Sequence, residues 1–91
     1  MYEVVITESY EKIAKKWLKK HQDLQSKYIN TLQLLSLNPS HNSLRLHKIK
    51  TPLADIYSVS INMQYRIILE FVIVDNQIIL LDVGDHDIYR N

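Results

Sequence analysis

Apolar residues recur at a helical period in the first half of the chain and at a strand period in the second half. Residues 2–6 form a short apolar run that predicts a strand, and Thr7 can cap a helix that follows it. The next apolar residues are spaced i, i+3, i+4, i+7 and i+8, which predicts an amphipathic helix. They are Tyr10, Ile13, Ala14, Trp17 and Leu18.

A second helix is predicted over residues 24–37, with Asp23 as its N-terminal cap. It should end near Asn38, because the residue before Pro39 is pushed out of the helical region. Only a short break at residues 21–23 separates the two helices, so we expect them to pack as an antiparallel hairpin.

From residue 44 onward the apolar residues alternate with polar ones or form short runs. This pattern predicts strands over residues 44–50, 56–61, 65–74 and 78–83. We expect a bulge near Lys48, where the alternation slips, and an end to the last strand at Gly84. Residues 51–54 read as a connector and residues 85–91 as a polar tail.

The order of these elements is strand, helix, helix and then four strands. It predicts an α+β fold in which an antiparallel sheet carries the helical hairpin on one face. The length of 91 residues allows one domain, residues 1–91. The opposite face of the sheet is then available for a site.

Composition removes several kinds of chemistry. The chain has no cysteine, which excludes disulfides, thiolate metal sites and cysteine nucleophiles, and its single glycine excludes a phosphate-binding glycine loop. His41, His47 and His86 could meet in space, but their spacing predicts no metal site.

We find no signal-peptide pattern and no run of roughly 20 apolar residues. We therefore expect a cytoplasmic protein with no membrane partner and no small-molecule cofactor.

Charge is divided unevenly along the chain, although the total is only +1. Residues 1–50 carry nine Lys and Arg against four Asp and Glu, a net +5, and residues 51–91 carry a net −4. A basic half of this kind fits an anionic partner. It also fits a lysine-rich helix surface that is simply solvated.

The candidate site consists of polar residues that interrupt apolar strands. Arg66 lies between apolar neighbours, so it needs either a ligand or an ion-pair partner such as Glu70. The preceding basic stretch suits an RNA phosphate, although it could also be a solvated sheet edge. Its residues are Arg45, His47, Lys48 and Lys50.

Two further candidates lie in the C-terminal tail. His86 is flanked by Asp85 and Asp87, which favour its protonated form and suit a general acid. Tyr89 could donate a hydrogen bond or stack on a base. The alternatives are an exposed histidine in a frayed tail and a tyrosine at the edge of the core.

Several strings in this order resemble the RelE/ParE toxin superfamily, which includes RelE, YoeB, YafQ and HigB. The resemblance spans nearly the whole chain and is carried by residues 37–39, 44–49, 55–62, 65–68 and 83–89. The most specific strings are Tyr65-Arg66-Ile67-Ile68 and the final Gly84-x-His86-Asp87-Ile88-Tyr89.

The resemblance implies the toxin of a type II toxin–antitoxin pair. Its ribosome-dependent members cut messenger RNA through attack of the 2′-OH on the adjacent phosphate, without a metal. The implied roles are phosphate and transition-state binding for Arg66, general acid for His86, and stacking or acid catalysis for Tyr89. The basic strand falls on His47, Lys48 and Lys50, and the implied partners are a cognate antitoxin and mRNA on the ribosome.

Three features depart from the family pattern. Many members are strongly basic, and classical RelE-type tails carry Lys or Arg where this chain has Asp85 and Asp87. No glutamate stands where YoeB-like members place a general base, so His47 would have to serve. Members of the ParE type share the fold and inhibit DNA gyrase, and a relic that only binds RNA or its antitoxin is a further alternative. The retained Arg66 and His86 favour the nuclease.

Overall fold

The computed structural model describes residues 1–49 and 55–85. It contains two helices, α1 (Glu8–Lys20) and α2 (Gln25–Leu37), and five strands. The strands are β1 (Glu3–Val5), β2 (His47–Lys48), β3 (Ile56–Ser60), β4 (Tyr65–Val72) and β5 (Gln77–Asp85). The predicted α+β class is confirmed. Within the described residues, no helix is long and apolar enough to cross a membrane.

Helix α1 begins and ends as its sequence predicts. The Thr7 side chain accepts a hydrogen bond from the backbone N–H of Tyr10 at 3.1 Å, which satisfies one of the unpaired donors of the first turn. Two glutamates lie in the first turn and two lysines in the last, so both ends match the helix dipole. Tyr10, Ala14 and Trp17 form its buried side.

The link between the helices differs from the prediction in one detail. Asp23 does not cap α2; it lies inside a single 3₁₀ turn, Gln22–Leu24, and Leu24 occupies the cap position without a side-chain hydrogen bond. The turn closes with its own backbone bond, from Leu24 N to His21 O at 2.9 Å. Helix α2 ends at Leu37, as Pro39 predicts.

The sheet has the strand order β1-β5-β4-β3-β2. Strands β2 to β5 form the predicted antiparallel series, while β1 pairs with β5 in parallel, so the sheet is mixed. Strand β1 is also tied to the end of α2, because Tyr2 N donates to Ser36 O and Ser36 Oγ donates to Tyr2 O.

Several strand boundaries were predicted wrongly. Strand β5 continues through Gly84 to Asp85, and β4 stops at Val72 before a 3₁₀ turn. The irregularity expected near Lys48 lies instead in β5: Ile68 is opposite Asp82 and Leu69 is opposite Leu80, so one extra residue is inserted there. Pairing with β4 holds Gly84 in the strand, since glycine retains both backbone hydrogen-bonding groups.

The core lies between the helices and one face of the sheet. Alternation along the strands points Val59, Ile67 and Leu69 toward the helices, where they are fully buried. The helices contribute Tyr10, Trp17 and Leu35 to the same cluster. The predicted placement of the hairpin on one face is therefore confirmed, and the other face, which we call the open face, carries the intervening residues.

One polar contact is buried inside this core and joins the two helices. The hydroxyl oxygens of Tyr10 and Tyr28 are 2.6 Å apart, and both residues are at most 5% exposed. Burial raises the pKa of Tyr10 far above its usual range, and the hydrogen bond with Tyr28 acts in the same direction. Burial also raises the pKa of Tyr28, although its bond with Tyr10 lowers it. Both phenols therefore stay protonated in the folded state.

The losses of unfolding free energy caused by removing the two hydroxyls one at a time should add up to more than the loss caused by removing both together. Tyr28→Phe leaves the Tyr10 hydroxyl buried without its partner, at a cost of about 1–3 kcal/mol. The double Tyr→Phe variant should lose clearly less than the sum of the two single variants. Urea unfolding of the four proteins measures this coupling, and strictly additive losses would contradict it.

The same pair should make the fold sensitive to alkali. Above about pH 10 an exposed tyrosine loses its proton in the unfolded chain but keeps it in the buried pair, so unfolding releases protons. Stability should then fall with rising pH by up to about 1.4 kcal/mol per pH unit for each tyrosine. Between pH 10 and pH 11 the free energy of unfolding should fall less in the double Tyr→Phe variant than in the wild-type protein. An equal fall in the two proteins would contradict the assignment of this sensitivity to the tyrosine pair.

Candidate functional site

Three neighbouring strands place polar side chains on the open face of the sheet. In the β3–β4 register Ser60 is opposite Arg66 and Ser58 is opposite Ile68, and in the β2–β3 register His47 is opposite Ser58. Paired residues share a face, and Arg66 lies one position from the core residue Ile67. The arginine, the histidine and the two serines are therefore brought together opposite the helices.

The guanidinium of Arg66 is held by three segments of the chain. Its Nε donates to Ser58 Oγ at 2.6 Å, and its Nη2 donates to the carbonyl of Arg45 at 2.8 Å. The same Nη2 is 3.1 Å from His47 Nδ1 and makes a longer contact of 3.4 Å with the Ser58 carbonyl. None of these four contacts goes to Glu70, so an ion pair with Glu70 is not among the bonds described for Arg66.

The contact with Arg66 determines which hydrogen-bonding role His47 can take. A guanidinium has only donors, so the 3.1 Å contact needs a lone pair on His47 Nδ1. A neutral imidazole then carries its proton on Nε2. In this arrangement His47 can donate a hydrogen bond to an anionic oxygen. To act as a base through Nε2, as the resemblance implied, it would first have to leave Arg66.

Arg45 reaches the site through its backbone, which its sequence pattern did not predict. It was expected on a strand, but it follows a 3₁₀ turn, Asn42–Leu44, and has the left-handed backbone angle φ 48°. The left-handed turn directs its carbonyl at Arg66, while strand β2 begins only at His47. Binding of phosphate by the Arg45 side chain stays a prediction.

Lys48 does not join the Arg66 group. Strand alternation turns it away from His47, and it lies opposite Tyr57, a residue packed against the core. Its Nζ is 3.4 Å from Asp55 Oδ1, and both side chains are more than half exposed, so this ion pair contributes little stability. Lys48 therefore lies on the opposite face of the sheet from His47 and Arg66. Binding of phosphate by Lys48 stays a prediction.

Three predicted site residues lie outside the described residues: Lys50, His86 and Tyr89. The last described residue, Asp85, is paired with Tyr65 at the end of β5, one register position from the pair of Arg66 and Gly84. Across the described part of the chain, no group of three or more His, Asp or Glu side chains is arranged to hold a metal ion.

Ser58 belongs to the site and Ser60 lies beside it on the same strand, although neither sequence position was singled out. They are two residues apart in an otherwise apolar strand, so both must face the same side, and that side is opposite the core. Ser58 is fully buried and Ser60 is 8% exposed. Small hydroxyl residues at such positions are a usable signal, because a buried hydroxyl needs a hydrogen-bond partner.

A second basic surface lies on the outer side of α1, away from the open face. All five lysines of this helix are exposed, and the single ion pair recorded for them among the described residues joins Lys15 to Glu11 at 3.2 Å. This geometry is compatible with both sequence interpretations, a solvated helix face and a surface for an anionic partner.

The architecture matches solved structures of bacterial and archaeal toxins. A metal-bound toxin from Helicobacter pylori aligns with a TM-score of 0.78 at 18% identity, covering 96% of this chain and 97% of the other. YafQ from E. coli strain BL21(DE3) aligns at 0.77 and 15% identity over 100% of both chains. The matched chain of an archaeal RelE–RelB complex from Pyrococcus horikoshii OT3 aligns at 0.71 and 22% identity, covering 92% and 93%.

No protein-family model matches the sequence, and no curated protein does. At identities of 15–22% the structural likeness establishes the fold. The chain thus has the fold of the RelE and YafQ toxins, as its sequence motifs predicted.

The left-handed backbone at Arg45 can be tested separately from its side chain. Arg45→Gly and Arg45→Ala both remove the guanidinium and both keep the carbonyl that binds Arg66. Glycine adopts a positive φ without the steric cost that alanine incurs, so the glycine variant should be the more stable by about 1 kcal/mol. Urea unfolding decides the order, and an alanine variant of equal or greater stability would contradict the backbone geometry.

Proposed function

We propose that this chain, as one domain of residues 1–91, is the toxin of a type II toxin–antitoxin pair and cuts messenger RNA on the ribosome without a metal. The observation that carries the proposal is the contact between Arg66 and His47 on the open face of a RelE-like fold. Two nitrogen-rich side chains held side by side offer several donors to one phosphate. That arrangement suits a reaction in which negative charge builds on phosphate oxygens.

The proposed reaction needs no covalent enzyme intermediate. The 2′-OH of a nucleotide attacks the adjacent phosphorus and passes its proton to solvent water, and the bond from phosphorus to the 5′-oxygen breaks. The products are a 2′,3′-cyclic phosphate and a 5′-OH, so one proton must reach the departing oxygen. Positioned acid–base groups typically accelerate such steps by about 10²–10⁴-fold.

Roles can be assigned to the chain's own residues within this proposal. Arg66 binds the phosphate and stabilises its transition state, and His47 donates a hydrogen bond from Nε2 to a phosphate oxygen. His47 could accept the 2′-OH proton only after it breaks its contact with Arg66 and takes the tautomer with a lone pair on Nε2. His86 supplies the proton to the 5′-oxygen, and Tyr89 stacks on a base. Arg45, Lys48 and Lys50 attract the RNA backbone.

Neutralisation by an antitoxin is the second part of the proposal. One solved neighbour is a complex of a RelE with RelB. For this chain we propose an acidic antitoxin segment, because residues 1–50 carry a net +5 and the lysines of α1 are exposed. Such a segment could add a strand to the sheet edge or lay a helix in a groove. The ribosome as target would place the protein in the cytoplasm.

The proposal predicts cleaved messages and unchanged DNA topology after induction in growing bacteria. Primer extension on abundant messages should reveal new 5′ ends, while plasmid supercoiling stays normal. Arg66→Ala and His86→Ala should each reduce cleavage by about 10²-fold or more, since one binds the developing charge and the other moves the proton. Circular dichroism should show that both variants remain folded.

A matched control is Lys12→Ala, which removes one exposed positive charge from α1 on the other side of the sheet. It should cleave as the wild-type protein does. Altered supercoiling with intact messages would instead identify a ParE-type gyrase inhibitor. Full toxicity of His86→Ala would refute its role as the general acid, and an unfolded Arg66→Ala would assign that residue a structural role.

A further inference from the structure

We propose that Ser58 is a positioning residue, whose hydroxyl fixes the Arg66 guanidinium and thereby holds His47 as the Nε2–H tautomer. The proposal deepens the function proposed above and rests on it only for the activity measurement. It concerns a hydroxyl that no sequence motif marks and that the proposed chemistry does not itself use.

The burial of Ser58 requires a partner for its hydroxyl. Ser58 is 0% exposed and lies in the middle of a strand next to the fully buried Val59. A hydroxyl in such surroundings is costly unless it is hydrogen-bonded. Its contact with Arg66 Nε is 2.6 Å, which is short for this type of bond and involves a charged donor. Bonds of this kind contribute more than bonds between neutral groups.

The position of Ser58 in the sheet explains how it directs the guanidinium. The residue directly opposite Arg66 is Ser60, so the arginine side chain leans two positions along β3 to reach Ser58. That lean carries it toward His47, which lies opposite Ser58 on the next strand. Ser58 therefore binds the arginine side chain on β3, the strand that lies between β4, which carries Arg66, and β2, which carries His47.

The described acceptors of the guanidinium are the Ser58 hydroxyl, the backbone carbonyls of Arg45 and Ser58, and Nδ1 of His47. With Nε fixed by Ser58, one Nη2 proton can point at Arg45 O and the other at His47 Nδ1. Without the Ser58 hydroxyl the carbonyl contacts remain, but the guanidinium becomes free to rotate and its Nη2 is no longer held toward the imidazole.

Ser60 provides a control whose hydroxyl has no described bond to Arg66. It lies on the same strand and the same face, is nearly as buried, and is the direct cross-strand neighbour of Arg66. Its hydroxyl nevertheless donates to the carbonyl of Asn62 in the β3–β4 turn. Ser60→Ala therefore deletes the same atom from the same face without removing a bond to Arg66.

Nitrogen-15 NMR of the purified protein tests the proposal without reference to any activity. In the wild-type protein the Arg66 Nε–H should exchange slowly, and the His47 ring should show a non-protonated Nδ1 and a protonated Nε2. Ser58→Ala should speed the Nε–H exchange about tenfold or more, since bonds to charged groups are worth at least this factor. It should also give His47 a mixture of tautomers.

Two further variants complete the comparison. Ser58→Thr keeps the hydroxyl and should restore the wild-type signals, and Ser60→Ala should leave them unchanged. If Ser58→Ala fails to fold, Ser58→Cys makes the same comparison, because sulfur is only a weak acceptor. An Arg66 Nε–H that exchanges at the wild-type rate, together with a single His47 tautomer, in the Ser58→Ala or Ser58→Cys variant would overturn the proposal. So would equal changes in Ser60→Ala.

Ribosome-dependent cleavage of a messenger RNA then supplies a second readout. Ser58→Ala should lower kcat about tenfold with little change in KM. Ser58→Thr should recover most of the rate. A wild-type protein that cuts no message would refute the proposed function, while the NMR comparison would still decide the role of Ser58.

Discussion

The open face of this protein is organised by one side chain that reaches across two neighbouring strands. Arg66 starts on β4, bonds Ser58 on β3, and ends against His47 at the start of β2 and the carbonyl of Arg45. A guanidinium offers five donors in a fixed plane, so fixing two of its nitrogens orients the rest. Strand order and register therefore determine the site before any ligand arrives.

The packing of the other face makes this arrangement possible. Because side chains alternate along a strand, Val59 and Ile67 can be fully buried under the helices while Ser58 and Arg66 lie opposite them. The helices are fastened to each other by the buried Tyr10–Tyr28 bond, and β1 is fastened to α2 through Ser36. The site thus rests on a rigid sheet, which suits chemistry that depends on placing donors accurately.

Periodicity predicted most of the fold because it reports which face of each element is buried. It predicted both helices and the antiparallel series of strands, and it placed Arg66 on a strand. It failed where a few backbone bonds decide the outcome: Asp23 lies within a 3₁₀ turn, and Gly84 remains inside β5. The parallel pairing of β1 with β5 depends on contacts distant in sequence, which local patterns do not encode.

The site was predicted less completely than the fold. Arg66 and His47 could be chosen because charged or ionisable groups in strands are unusual, whereas Ser58 carries no such mark. Arg45 was chosen for its side chain, yet it meets Arg66 through a carbonyl that follows from its left-handed backbone. Lys48 shows the opposite case, since a shift of one residue along a strand turns a basic side chain to the other face.

The chemistry of the RNA ends tests the central claim most directly. Purified protein would be incubated with ribosomes translating a defined message, and the termini of the fragments would be determined. Attack by the 2′-OH at a phosphate held by Arg66 and His47 predicts fragments that end in a 2′,3′-cyclic phosphate and begin with a 5′-OH. An intact message, or fragments with a 3′-OH and a 5′-phosphate, would contradict the account.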